Sequence, residues 1–409
     1  NYSLLRVNLK TGKGRRFKSG VDNTVDWFVD KDGTVLARED YNNTTDTYRV
    51  YTYVNGKREL IYELETSQLP PGVTGIKADR SALLFSDGSD ADDSGNVYEL
   101  DFSGHLTPAS LGGKGGTIER IIKDGNRFVL GVEYSGAVPS YKFYDPDVDA
   151  AVSGMVNQFS TASVNLVSWT DDWSKLLYLI YGSDTPGSYV LQDRETGQMM
   201  LVADERDNIP PDAVGQMVSV NYKARDGLNI PSILTWPAGV DIETASKLPL
   251  VVMPHGGPES YDAVGFDWMA QYFANRGYLV LQPNFRGSSG YGTEHRILGK
   301  GEWGGKMQDD ITDGVQTLVE QGLADPTRVC IVGASYGGYA ALAGGAFTPD
   351  LYKCVVAIAP VSDIRPLLVD VKWDNGRKHW ALDYWQENIG DLDEEREKLD
   401  AISPARAAD

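Results

Sequence analysis

Ser335 stands in Gly333-Ala334-Ser335-Tyr336-Gly337, between the apolar run Val329–Val332 and an alanine-rich segment. G-x-S-x-G in a strand–turn–helix context is the pattern that holds a serine on a strained turn for nucleophilic attack. A serine at neutral pH needs a base to take its proton and a group to orient that base. The chain has four histidines, His105, His255, His295 and His379, and only His379 follows Ser335. A triad of Ser335, Asp363 and His379 is conceivable, but the surrounding "RKHWALDYW" reads as a helix rather than a base-bearing loop. A second feature is "DADDSGNVYELD", Asp90 to Asp101, in which Asp90, Asp92, Ser94, Gly95, Val97 and Asp101 take the spacing of a calcium loop. A polar hairpin turn has the same composition and is the preferred reading. No metal or cofactor is expected, because no cluster of His, Cys or carboxylates shows zinc spacing.

Composition narrows the partners. With 58 acidic against 38 basic side chains the net charge is −20. That surface repels phosphate backbones and anionic membranes, so neither nucleic acid nor membrane is an expected partner. No run approaches the roughly 18 apolar residues of a membrane span. Cys330 and Cys354 each lie in an apolar, strand-like run and read as core thiols rather than a disulfide or a metal site. The chain opens Asn1-Tyr2-Ser3 with no initiator methionine or signal peptide, so the natural N-terminus reads as missing. A cytoplasmic or periplasmic setting is left open, as is a homo-oligomer.

Two kinds of scaffold lie around these residues. In the first half, β-rich runs begin at Thr34, Ala82, Phe128 and Leu176, at intervals of 48, 46 and 48 residues. Each follows a turn and precedes a second alternating strand. A repeat of about 40–50 residues, all strands and no helix, predicts propeller blades: four between Thr24 and Val202, plus part of another at the start. After "ERDNIPPDAVGQ" the rhythm changes to strand, helix, strand. "LPLVVMPHGG" and "GYLVLQPNFRG" read as buried parallel strands. Phe266, Met269, Tyr272 and Phe273 predict one helical face, and Met307, Ile311, Val315, Leu318 and Val319 another. The expected organisation is a partial propeller over 1–206 and an α/β sheet with crossover helices over 207–409.

"HGGP" at His255, "NFRGSSGYG" at Asn284, "WGGKMQDD" at Trp303, "DPTRV" at Asp325 and "GASYGGYAAL" around Ser335 follow in that order. Together they resemble the catalytic domain of the prolyl oligopeptidase family of serine peptidases, particularly its acylaminoacyl-peptidase and dipeptidyl-peptidase-like branch. The resemblance implies a β-propeller joined to an α/β-hydrolase domain and hydrolysis of short peptides, with the propeller restricting access. It also implies Ser335 as nucleophile and an oxyanion hole made by the backbone N–H groups of Tyr336 and Gly257. Trp380, Tyr384 and Trp385 fall where this family folds helices over the site, and are candidates for the substrate pocket or for core. His255 precedes the nucleophile, against the Ser-Asp-His order of this fold, and reads as a structural histidine. Arg286 reads as a loop anchor. Relatives continue with an apolar strand and a G-x-x-D-x-x-V motif that this sequence lacks. The triad Asp and His are therefore expected beyond residue 409, and this stretch alone is expected to be inactive, with "CVVAIAPV" as an exposed sheet edge. A carboxylesterase on the same fold, or a propeller-based binding protein with a dead hydrolase domain, stays open as an alternative.

Overall fold

The structure, a computed structural model, describes residues 2–66, 71–86, 97–109, 111, 117–159, 162–182, 185–375 and 380–407. Most of the calcium-like loop, residues 90–96, and His379 lie outside them. The described Asp101 carboxylate is used in a turn, accepting from the N–H groups of Ser103 and His105. The chain divides into two compact units, 1–114 with 120–132 and 370–385, and 115–119 with 133–369 and 386–409.

The first unit opens with the hairpin β1 (Leu4–Val7) and β2 (Gly14–Lys18). An antiparallel sheet follows in the order β3 (Thr24–Val29), β4 (Val35–Asn42), β5 (Thr47–Thr52), β6 (Glu59–Glu65). The next repeat is β7 (Gly72–Lys77), β8 (Ala82–Ser86), β9 (Val97–Asp101) and β10 (Leu106–Pro108). Phe28, Leu36, Tyr48, Val50, Ile76, Leu83, Phe85 and Leu100 form one buried cluster shared by these two repeats. The third repeat supplies β11 (Ile118–Lys123), β12 (Phe128–Tyr134) and β13 (Ser140–Phe143), and β12 pairs in parallel with β7 over two residues. The fourth, which by contacts falls in the second unit, is a complete sheet of β14 (Ser163–Trp169), β15 (Lys175–Gly182), β16 (Thr185–Asp193) and β17 (Gln198–Asp204). β4, β8, β12 and β15 are the runs whose spacing defined the repeat, and each is the second strand of its repeat in chain order. In β15 the alternation is clean: Leu176, Tyr178 and Ile180 point inward on a period of two.

The third repeat departs from the all-strand expectation. Where a fourth strand was expected, the chain forms α1 (Pro146–Gln158). The Asp145 carboxylate accepts from the N–H groups of Asp147 and Val148, Pro146 occupies the first turn, and Val148, Val152 and Met155 are buried along one face. These are ordinary helix-start signals, and the propeller rhythm masked them.

The second unit carries a six-stranded sheet in the order β18 (Met217–Lys223), β19 (Asn229–Thr235), β21 (Leu279–Pro283), β20 (Leu248–Val252), β22 (Ala324–Ala334), β23 (Cys354–Ile358). β18 and β19 form the expected antiparallel pair, and β20, β21, β22 and β23 run parallel. The second unit also holds α2 (Trp268–Ala274), α3 (Thr293–Ile297), α4 (Lys306–Glu320), α5 (Tyr336–Phe347) and α8 (Arg396–Ala401), while α6 (Ile364–Asn375) and α7 (Trp380–Ile389) are divided between the two units. Met307, Ile311, Val315 and Leu318 of α4 face inward as the periodicity predicts. α2 follows its predicted face in part: Met269 and Phe273 pack on a buried cluster, but Phe266 precedes the helix and Tyr272 is exposed, while Ala270, Gln271 and Ala274 are buried. Small residues bring this helix close, and the Gln271 amide fastens it by exchanging hydrogen bonds with the backbone of Gly215.

The two cysteines are also corrected. Register places Cys330 directly opposite Cys354 on neighbouring strands, with Cα atoms 4.7 Å apart, and the thiols form a disulfide. Spacing in sequence could not reveal this, because only the parallel pairing of β22 with β23 makes them neighbours. β23 ends the described sheet order, and Val356 and Ile358 on it are exposed.

Candidate active site

β22 ends at Ala334, α5 begins at Tyr336, and Ser335 between them has φ 57° and ψ −119°. A residue with a Cβ is strained there, and the surroundings must hold it in place. Gly333 and Gly337 make the turn possible. A Cβ on Gly333 would stand 2.1 Å from the Gly337 carbonyl oxygen, and one on Gly337 would stand 2.1 Å from that of Pro254. The Ser335 N–H donates to the Ile358 carbonyl at 3.0 Å, which ties the elbow to the end of β23. Ser335 is exposed, whereas Tyr336 and Tyr339 behind it are buried. The first N–H groups of a helix have no intrahelical acceptor, and they carry the positive end of its dipole. The Tyr336 N–H is thus a donor next to the serine.

The loop after β20 meets the elbow from the other side. A Cβ built on Gly256 would lie 3.6 Å from Ser335 Cβ, ordinary van der Waals contact, which puts this main chain directly beside the serine. Gly257 is exposed, has φ 122°, and its N–H has no protein acceptor among the described residues. The ring of His255 stacks on Phe285 with centroids 4.5 Å apart, and Phe285 packs on Tyr336 at 5.3 Å. Both ring nitrogens of His255 are engaged, Nδ1 with the Gly256 carbonyl and Nε2 with Ser288 Oγ, each at 2.8 Å.

Burial lowers the His255 pKa to about 4 and also pushes His295 down. Both therefore stay neutral in the folded protein at pH values where the unfolded chain already binds protons. For His255 the stability this confers is complete above about pH 6.5 and is lost as pH falls toward 4, at up to about 1.4 kcal/mol per pH unit, and His295 adds a loss of the same sign. Urea unfolding between pH 7 and 4 is expected to show this loss, and His255→Gln to make it shallower. An unchanged slope in that variant would refute the assignment.

The loop after β21 is anchored by Arg286, as expected. Its guanidinium makes two hydrogen bonds to Asp310, from Nε at 2.8 Å and Nη2 at 2.7 Å, and its backbone N–H makes a third at 2.9 Å. Asp226 closes the far side of the fork at 2.9 Å, and the two carboxylates hold Arg286 firmly protonated. Asp310 is fully buried and Arg286 nearly so. In sequence Asp310 is one of two adjacent aspartates in "WGGKMQDD", with nothing local to mark its partner. Its pairing with Arg286, and Ser288 against His255, were missed, since both contacts join distant loops.

Trp380, Tyr384 and Trp385 lie on α7 and pack on one another, with ring centroids 6.5 Å apart for Trp380–Tyr384 and 5.4 Å for Tyr384–Trp385. They group with the first unit and Ser335 with the second. Asp363 is committed elsewhere: its carboxylate accepts from Arg406 Nη2 at 2.9 Å and from Ser403 Oγ at 3.3 Å. Among the described residues no group of three or more His, Cys, Asp or Glu could hold a metal ion.

Comparison with known proteins bears on this geometry. Dipeptidyl aminopeptidase BIII of Pseudoxanthomonas mexicana is 34% identical over 277 residues, covering 66% of this chain and 39% of that protein. Dipeptidyl peptidase family member 6 of Caenorhabditis elegans is 32% identical over 275 residues, covering 62% and 37%. The chain thus spans about two fifths of the length of these relatives. Among solved structures, a Mycobacterium tuberculosis puromycin-hydrolyzing peptidase superposes with a TM-score of 0.69 at 21% identity, covering 97% of this chain and 60% of that one. That likeness shows the fold, a β-propeller with an α/β-hydrolase domain. The model of the prolyl oligopeptidase family matches residues 264–409, the stretch that contains the Arg286 anchor and the whole serine elbow. Over residues 264–409 the chain thus matches the prolyl oligopeptidase family, and its fold agrees with that match.

Proposed function

We propose that the protein is a serine peptidase acting on short peptides, with Ser335 as nucleophile and the N–H groups of Tyr336 and Gly257 as oxyanion donors. The observation that carries this is the strained, exposed serine between β22 and α5, with the Gly256–Gly257 main chain packed against it. Both donors then flank the point where a substrate carbonyl would be attacked. Residues 207–409 form the peptidase domain in this reading, and the propeller over 1–206 restricts access. His255 and His295 are excluded as the base by their fixed partners, and Asp363 as the acid by Arg406. We assign the base and its orienting carboxylate to the part of the full-length protein that these 409 residues do not cover, since the relatives extend far beyond the matched lengths. The two relatives favour removal of dipeptides from a free amino terminus. That preference is a proposal of the same standing.

The test uses the full-length protein. A fluorophosphonate probe should form one adduct, mapped by mass spectrometry to Ser335. Dipeptidyl anilides should be cleaved faster than acetylated aminoacyl anilides. Turnover of simple esters without any peptide amide would assign a carboxylesterase instead. An unlabelled Ser335 would mean a dead hydrolase domain and a binding role for the propeller.

A further inference from the structure

We propose that the Cys330–Cys354 disulfide is a thiol-sensitive positioning device for Ser335, so that reductants opening it lower peptidase turnover. This rests on the serine-peptidase reading above. The bond joins residues 24 apart, and the chain between them carries Ser335, the whole of α5 and the return to β23. The nucleophile is therefore mounted inside a covalently closed ring. Cys330 opposite Cys354 begins a register that runs residue by residue to Ala334 opposite Ile358. Just before the disulfide the Lys353 N–H donates to the Val329 carbonyl at 2.7 Å, and at the far end the Ser335 N–H donates to the Ile358 carbonyl. At about 3.3 Å per residue, the bond and that last rung are about 13 Å apart.

What the bond adds follows from how β23 is held. Among the described residues its only neighbour in the sheet is β22. α5 covers one face at Val355, where a Cβ on Gly345 would stand 3.0 Å from Val355 Cγ2. On the other face Cys354, Val356 and Ile358 are exposed. Cys330, by contrast, packs against the buried cluster of Val251, Met253, Val280 and Val332. The disulfide thus ties an exposed strand to one fixed in the core. Ser335 stays at φ 57° only while its surroundings hold it, and the Ile358 carbonyl is one of those restraints. With the bond open, β23 frays more readily, and the elbow relaxes toward ordinary backbone with Ser335 Oγ displaced.

The exposed side of the bond is also where a thiolate enters. One thiolate of a dithiol attacks Cys354 Sγ, the S–S bond breaks, and Cys330 leaves as a thiolate that takes up a proton. The second thiol of the reductant then displaces Cys354 from the mixed disulfide. Two electrons and two protons pass to the protein, and the dithiol becomes a disulfide.

The test uses the full-length protein and dithiothreitol under native conditions. Alkylation and mass spectrometry should find new thiols on the peptides that carry Cys330 and Cys354. With a dipeptidyl anilide, well below the melting temperature, kcat should fall about 10-fold and KM change by less than about twofold, since an ångström of misplacement costs up to about 100-fold. Fluorophosphonate labelling of Ser335 should slow by the same factor, and oxidised glutathione should restore both. The melting temperature also falls on reduction, because the closed ring no longer limits the unfolded chain. The double variant Cys330→Ser, Cys354→Ser should match the reduced enzyme and ignore the reductant. Thiols that stay protected, or a reduced enzyme with unchanged kcat, would overturn the proposal. So would a double variant with wild-type kcat. A loss seen only where the reduced protein is melting would reduce the bond to a stability element. In each case an oxidised enzyme labelled at Ser335 leaves the peptidase reading intact; one that neither labels nor cleaves peptides brings down both.

Discussion

Ser335→Gly is expected to abolish turnover and at the same time to stabilise the protein. Loss of a serine nucleophile lowers kcat by about 10⁴- to 10⁶-fold, since what remains is binding and the oxyanion hole. The stability gain comes from the backbone. At φ 57° and ψ −119° a residue with a Cβ stores strain of about 1–3 kcal/mol. Glycine relieves it but costs about 0.5–1 kcal/mol through its freer unfolded chain. The net expectation is a gain of about 1 kcal/mol, read as a rise in melting temperature of roughly 2–4 °C. Ser335→Ala is the control: equally inactive, but with its Cβ still in the strained turn, so its melting temperature should stay near wild type. Equal shifts in the two variants would show that the elbow is not strained and would remove the physical case for Ser335 as a presented nucleophile.

This serine was legible because local sequence specifies it. An apolar run, two glycines at fixed offsets and a small-residue helix are all contiguous, and each glycine answers to a definite backbone approach. The repeat in the first half was legible for a similar reason, since each sheet is built from neighbours in sequence. What failed depended on contacts between distant segments or on competition between local signals. Cys330 and Cys354 are 24 residues apart, and only the register of β22 against β23 joins them. α1 was hidden because Asp145-Pro146 reads equally as a turn between strands. Asp310 carries no local signal of its role because its partner lies 24 residues back, beyond the end of another strand. The network around His255 has the same origin: Ser288 and Phe285 reach it from the loop after β21, while Gly256 is its own neighbour.

Asp310→Ala should be the most damaging single change in the second unit outside the apolar core. It would leave the Arg286 guanidinium, with its side chain 4% exposed, facing a cavity instead of a carboxylate. Breaking a buried pair from one side typically costs about 3–5 kcal/mol, because the remaining charge stays desolvated. Asp226 touches the same guanidinium, but its side chain is 42% exposed and water can replace it. Asp226→Ala should therefore cost less than about 1 kcal/mol. The contrast between two carboxylates on one arginine tests burial rather than charge. It should appear as a large fall in the urea midpoint for Asp310→Ala and a small one for Asp226→Ala. Activity should follow the same order in whatever folded protein remains. The Arg286 backbone N–H is held by Asp310, and the residues beside it, Phe285 and Ser288, carry the stack and the hydrogen bond that fix His255. Similar losses for the two aspartates would mean that the fork is solvated from both sides. The loop after β21 would then draw its rigidity from Phe285 packing on Tyr336 rather than from the ion pair.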